Sequence, residues 1–137
     1  MNVKRFVPAV IAVFVFIFFY EWVLHHKILG PTYQETMSLW RNPEEMKSFF
    51  WYIPAAQGFL ALIFCYIFTR GYQNRGIAEG LRYGLMIGLL FIPGNVIMYA
   101  VQPLPLNLVI AWIVGGIIEG IVAGAIVAAI YRGKSIS

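Results

Sequence analysis

Three polar residues sit deep inside apolar stretches, where such groups are costly: Gln57, Asn95 and Glu119. The stretch around Glu119 runs LVIAWIVGGIIEGIVAGAIVAAIY, from Leu108 to Tyr131. A helix rises about 1.5 Å per residue and crosses a hydrocarbon core of about 30 Å in about 20 residues, so Glu119 falls near the middle of a membrane span. A carboxyl group there costs about 2.5–3.5 kcal/mol on insertion scales, so it is expected to face the protein interior and to find a polar partner. Arg82 is the only base inside a span. It lies roughly 12–15 Å away along the membrane normal at 1.5 Å per residue, too far for an ion pair. The amides Gln57 and Asn95 are therefore the expected partners. Pro54 precedes Gln57 and Pro93 precedes Asn95, and polar residues beside interrupted helices at one depth form the pattern of an ion or solute site. The competing reading is structural: hydrogen bonds between membrane helices contribute about 0.6 kcal/mol each and fix helix register.

A second cluster, Glu21, His25 and His26, lies near the far end of the first apolar run. Glu21 and His25 are four apart and share a helix face. One reading is an interfacial carboxylate–imidazole pair beside Trp22. The other is a proton or metal site, because both residue types titrate and ligate. Haem ligation would need a second axial ligand, and the two histidines are adjacent. Cys65 is the single cysteine, which excludes an internal disulfide or a cysteine-based metal cluster. No nucleophile elbow, zinc-protease motif or phosphate loop is present. Neither an enzyme activity nor a cofactor is expected.

The elements that must position these residues are transmembrane helices. Of 137 residues, 61% are hydrophobic and 12% charged, against about 25% charged in a soluble domain. The expected architecture is all-α: one transmembrane domain with spans at Phe6–Leu24, Ser48–Thr69, Gly80–Val101 and Leu108–Tyr131. The first run follows Lys4 and Arg5 but is long, rich in Phe and without a small-x-small cleavage site, so it reads as a retained anchor. Pro54 is expected to kink the second span, and Pro93-Gly94-Asn95 to interrupt the third. Asn42-Pro43-Glu44-Glu45 reads as a helix start. Tyr33, Met37 and Trp40 would line one face of a short interfacial helix in the first outer loop.

Gly116, Gly120, Gly124 and Ala128 recur every four residues along the last span, and Gly84 and Gly88 do so along the third. Such ridges let helix backbones approach closely. They imply very close packing within the bundle, or contact with a second copy or a larger membrane complex. Lys4, Arg5, Arg70, Arg75, Arg82, Arg132 and Lys134 fall on the side of the termini, against Lys27, Arg41 and Lys47 on the other. The net charge of +4 thus follows topology rather than nucleic-acid binding. The positive-inside rule puts both termini in the cytoplasm.

The chain resembles small four-helix bacterial inner-membrane proteins of unassigned function. The resemblance lies in E-W-x-x-H at Glu21 to His25, E-G-L-R-Y-G-L at Glu79 to Leu85, and the glycine-rich last helix with Glu119. It implies a fold and an inner-membrane location. Small multidrug transporters share the size and the single membrane glutamate. Here the acid of the first helix lies near its outer end and the central acid is in the fourth, which separates the two. Two functional readings stay open. The leading one is a structural or accessory membrane subunit with a buried polar cluster; the other is a proton- or ion-coupled transporter or channel using Glu119.

Overall fold

A computed structural model describes residues 1–132; Lys134 of the basic tail lies outside them. The described residues form helices and turns without strands, and four helical runs are long and apolar enough to cross a membrane. They are Val3–Ile28, Tyr52–Gly71, Ile77–Val101 and Leu106–Tyr131.

The first run is α1 (Val3–Trp22), extended without a break by a π-helical turn over Val23–Ile28. The sequence ends this span at Leu24; the structure carries it on to Ile28. The π turn is closed by the Leu29 N–H donating to the Leu24 carbonyl at 2.9 Å. Such wide turns are uncommon and concentrate at functional sites. Three short pieces follow: α2 (Gly30–Glu35), a 3₁₀ turn (Met37–Leu39) and α3 (Pro43–Phe49). The Asn42 side chain caps α3, accepting from the Glu45 N–H at 2.8 Å, with Pro43 in the first turn.

The second span is α4 (Tyr52–Gly71). It starts later than the sequence suggests, because α3 ends at Phe49 and the chain turns at Phe50–Trp51. Pro54 therefore sits in the first turn of α4, where its missing N–H costs no helical bond, and it does not kink the span. The third run is two helices, α5 (Ile77–Leu90) and α6 (Ile92–Val101), broken at Phe91 with Pro93 in the first turn of α6. The last span is α7 (Leu106–Tyr131). Between α4 and α5 the chain turns through Tyr72–Gly76, and Gly76 adopts φ +72°. The Glu79 carboxylate holds that turn, accepting from the backbone N–H groups of Gln73 at 2.6 Å and Arg75 at 2.8 Å.

Helices α1 and α7 form the antiparallel centre. At one end the Asn2 N–H donates to the Tyr131 hydroxyl at 2.9 Å. This end also carries the Tyr72–Gly76 turn; we call it the terminal end, and the opposite one the loop end. Ala9, Val13 and Ile17 recur every four residues on the buried face of α1. They meet Ala61, Phe64, Cys65 and Phe68 of α4 and Ala123, Val127 and Ala128 of α7. The opposite stripe of α1, Val7, Ile11, Val15 and Phe19, is exposed, as suits a surface facing lipid.

Helix α5 packs on the other side of α7 through backbone rather than side chains. A Cβ added at Gly80 would collide with the Gly124 carbonyl, and one at Gly84 with the Gly120 carbonyl. A Cβ at Gly88 would stand 2.8 Å from the Ile117 Cα. Since lipid is as apolar as leucine, this close van der Waals fit is what holds two such helices together in a membrane. The ridge of α7 thus splits. Gly120, Gly124 and Ala128 are covered by α5 within the chain, whereas a Cβ at Gly116 would meet nothing within 4 Å.

This division predicts opposite outcomes for two substitutions. Gly120→Leu should destabilise the bundle by about 1–3 kcal/mol or more through overpacking, while Gly116→Ala should stay within about 0.5 kcal/mol of wild type. Thermal unfolding in mild detergent, followed by circular dichroism, separates them; equal unfolding temperatures for the two would contradict this packing.

Candidate functional site

One cavity of about 330 Å³ opens between α4 and the α5–α6 pair, with α1 and α7 as its floor. All four spans line it: Glu21 from α1, Gln57 from α4, Asn95 from α6 and Glu119 from α7. The structure thus brings together the three polar residues singled out by depth and adds Glu21, which the sequence assigns to a separate outer cluster. Glu119 is the fourteenth of the 26 residues of α7 and Gln57 the sixth residue of α4, about 8 Å from its start at 1.5 Å per residue, so the cavity runs from the middle of the bundle toward the loop end. Gly116 also lines it, which accounts for the open space beside that glycine.

Glu21 and Glu119 meet because α1 and α7 run antiparallel. The Tyr20 hydroxyl donates to the Gly115 carbonyl at 2.7 Å, so Glu21 starts level with a point one turn from Glu119. Side chains on a helix lean toward its N-terminus. On α1 that draws Glu21 toward the terminal end; on α7 it draws Glu119 toward the loop end. The two carboxyl groups come within hydrogen-bonding reach. Ionised carboxylates only accept, so a hydrogen bond between them contains a proton. The expected partner of Glu119 was an amide; the structure supplies another acid.

The amides do not bond across helices. The Gln57 Oε1 is buried with no hydrogen-bond partner. The Asn95 Nδ2 makes one long bond, 3.4 Å, to the Phe91 carbonyl of the preceding turn.

From Glu21 a hydrogen-bonded string runs to the loop end. His25 Nε2 lies 2.9 Å from Glu21 Oε2, His25 Nδ1 lies 2.6 Å from the Tyr33 hydroxyl, and the Trp112 Nε1–H donates to that hydroxyl at 2.9 Å. Tyr33 and Trp40 face inward, edge to face with ring centroids 5.4 Å apart, and Trp40 reaches Trp112 in turn. They join Leu24, Leu29, Leu104 and Leu108 in a second apolar core, and Met37 alone of the three points outward. This corrects the expectation of one surface-lying face. Burial, reinforced by the Glu21 charge and opposed by the Trp112 hydrogen bond, holds the Tyr33 phenol above its usual range. It therefore stays protonated at neutral pH, and its hydrogen bond to His25 is lost only on strong alkalinisation.

His26 is not part of the string. Its ring stacks on Trp22 with centroids 5.8 Å apart, and the Lys27 ammonium also lies over Trp22. Glu21, His25 and His26 therefore do not converge, and among the described residues no group of three or more His, Cys, Asp or Glu is placed to hold a metal ion. Sequence reasoning missed Tyr33 and Trp112 as partners of His25. Trp112 stands 79 residues from Tyr33, and no local pattern links them.

No protein-family model, curated protein or solved structure matches the chain.

The unpartnered amide makes its own prediction. A buried acceptor without a partner is costly, so Gln57→Leu should leave stability unchanged or raise it. Thermal unfolding in detergent tests this; a loss of 0.6 kcal/mol or more, about the worth of an interhelical hydrogen bond, would mean that Gln57 ties helices together.

Proposed function

We propose that this chain is a proton- or ion-coupled membrane carrier or channel whose site is the cavity containing Glu21, Gln57, Asn95 and Glu119. The observation that carries the reading is the convergence of one polar residue from every span on one cavity, while the two amides leave their interhelical bonds unmade. Amides serving only to fix helix register would bond across helices, and these two do not. Acids inside a membrane mark ion and proton pathways by default, and this pair stands beside a break in the third span. Seven basic residues on the terminal side against three on the other favour a multi-pass inner-membrane orientation with cytoplasmic termini. The short helices α2 and α3 then lie at the outer surface.

The accessory-subunit reading retains one supporting observation. The cavity opens sideways between α4 and α5–α6, and the exposed Phe91 at its rim offers a helix of a larger complex an apolar seat. Of the small-residue ridge, Gly120, Gly124 and Ala128 are already covered by α5.

Purified protein in liposomes with an imposed pH gradient tests the proposal. The wild type should dissipate the gradient, and Glu119→Gln should remain folded yet lose at least nine-tenths of the flux, because its amide keeps a hydrogen bond to Glu21 but carries no exchangeable acid proton. Flux absent from the wild type, or unchanged in Glu119→Gln, would overturn the reading and leave the accessory role in its place.

A further inference from the structure

The string from Glu21 to Trp112 is bonded in one direction, and that direction follows from the donors available. Trp112 Nε1–H only donates and an ionised Glu21 only accepts. The Tyr33 oxygen receives the Trp112 hydrogen. Glu21 takes the hydrogen on His25 Nε2, leaving Nδ1 of a neutral imidazole as an acceptor. With the imidazole in this tautomer the Tyr33 O–H donates to Nδ1. On its loop-end side the string meets solvent at His25, whose side chain is 33% exposed, and at the partly exposed Tyr33. Its other end is the carboxyl group that meets Glu119 in the cavity.

We propose that Tyr33 and His25 form the path by which protons pass between the loop-end surface and the Glu21–Glu119 pair. This deepens, and rests on, the reading of the cavity as a proton-coupled site. A hydronium ion at the loop-end surface gives a proton to the Tyr33 oxygen and is left as water, the phenolic proton passes to His25 Nδ1, and the Nε2 proton passes to Glu21 Oε2. One O–H bond forms at Tyr33 as another breaks, one N–H forms as another breaks, and one O–H forms at Glu21. The net change is one proton gained by Glu21, with the imidazole left in its Nδ1–H form. The ring returns to the Nε2–H form by swinging out of its two hydrogen bonds, releasing the Nδ1 proton to water and taking one at Nε2, which its 33% exposure permits. The π-helical turn supports this role, since it sets His25 in the widened segment Val23–Ile28 between Glu21 and α2. The groups facing His25 are Glu21 on its own helix and Tyr33 from α2, with Trp112 of α7 behind Tyr33 and Glu119 of α7 behind Glu21. His26 and Lys27 turn away onto Trp22.

A pH jump with time-resolved infrared detection of the acid C=O stretch tests the path without requiring solute transport. Three proteins are compared in liposomes: wild type, Tyr33→Phe, which keeps the ring packing, and His25→Ala. Protonation of the pair should slow at least tenfold in both variants while reaching the same final amplitude, and imidazole in the buffer should restore the rate in His25→Ala but not in Tyr33→Phe. Unchanged rates in both variants, beside Glu119-dependent flux, would overturn the path and leave the cavity reading standing. A wild-type pair that takes up no proton after the jump would overturn both. A lowered final amplitude without slowing would make the two residues structural supports and would also overturn the path. Should His25→Ala fail to fold, His25→Gln carries the same rate prediction without the imidazole rescue.

Discussion

Two acids facing each other in a low-dielectric interior are the constraint on which the rest of the structure depends. Two like unit charges about 4 Å apart repel by about 4 kcal/mol at an effective dielectric of 20, and a proton held between them removes that repulsion. Holding Glu21 and Glu119 together requires α1 and α7 to keep a fixed register. Two contacts near the loop end set it: the Tyr20 hydroxyl on the Gly115 carbonyl, and Leu24 seated where a Cβ on Gly115 would stand 2.7 Å from its Cδ2. At the terminal end Tyr131 receives the Asn2 N–H. The α1–α7 pair is thus pinned above and below the acids.

The cavity is a consequence of unequal packing around that pair. Glycines draw α5 tightly onto α7, and α4 lies along α1 over Ala61, Phe64 and Phe68. Toward the terminal end, aromatic residues bridge α4 and α5. The Tyr83 hydroxyl donates to the Phe64 carbonyl at 2.6 Å, and Tyr83 packs edge-on against Phe64 with centroids 4.7 Å apart. Toward the loop end Ala56, Gly88 and Gly116 are among the lining positions, and no hydrogen bond joins α4 to α6 among the described residues. The break at Phe91 then lets α6 depart from the line of α5. The Tyr83 bridge closes one half of the interface, and small residues beside a helix break leave the other open.

The four spans were legible because length and hydropathy are local properties, and the pause at Pro93 was legible because proline constrains its own helix. The capped start at Asn42 was legible for the same reason. Pro54 was misread because a helix start cannot be located inside a continuous apolar run: with α4 beginning at Tyr52, the proline falls in the first turn. The glycine ridge was legible as a packing surface, but which glycines it used depended on the partner helix, so Gly116 was assigned to packing rather than to the cavity. Glu21 was placed with the surface cluster because nothing local reveals that the helix continues as a π turn to Ile28. Nor does one sequence show that opposite side-chain tilts on antiparallel helices close a one-turn offset. Tyr33 and Trp112 converge on His25 through tertiary packing alone.

The most direct test of the central claim is the equilibrium infrared spectrum of the protein in lipid at neutral pH, compared with Glu21→Gln and Glu119→Gln. If the two acids hold one proton between them, the wild type shows an acid C=O stretch that disappears in both single variants. An amide in place of either acid donates the hydrogen bond itself and leaves the remaining carboxylate ionised. A wild type without that stretch, or a stretch surviving unchanged in either variant, would show that the carboxyl groups do not share a proton, and the account built on their contact would fail.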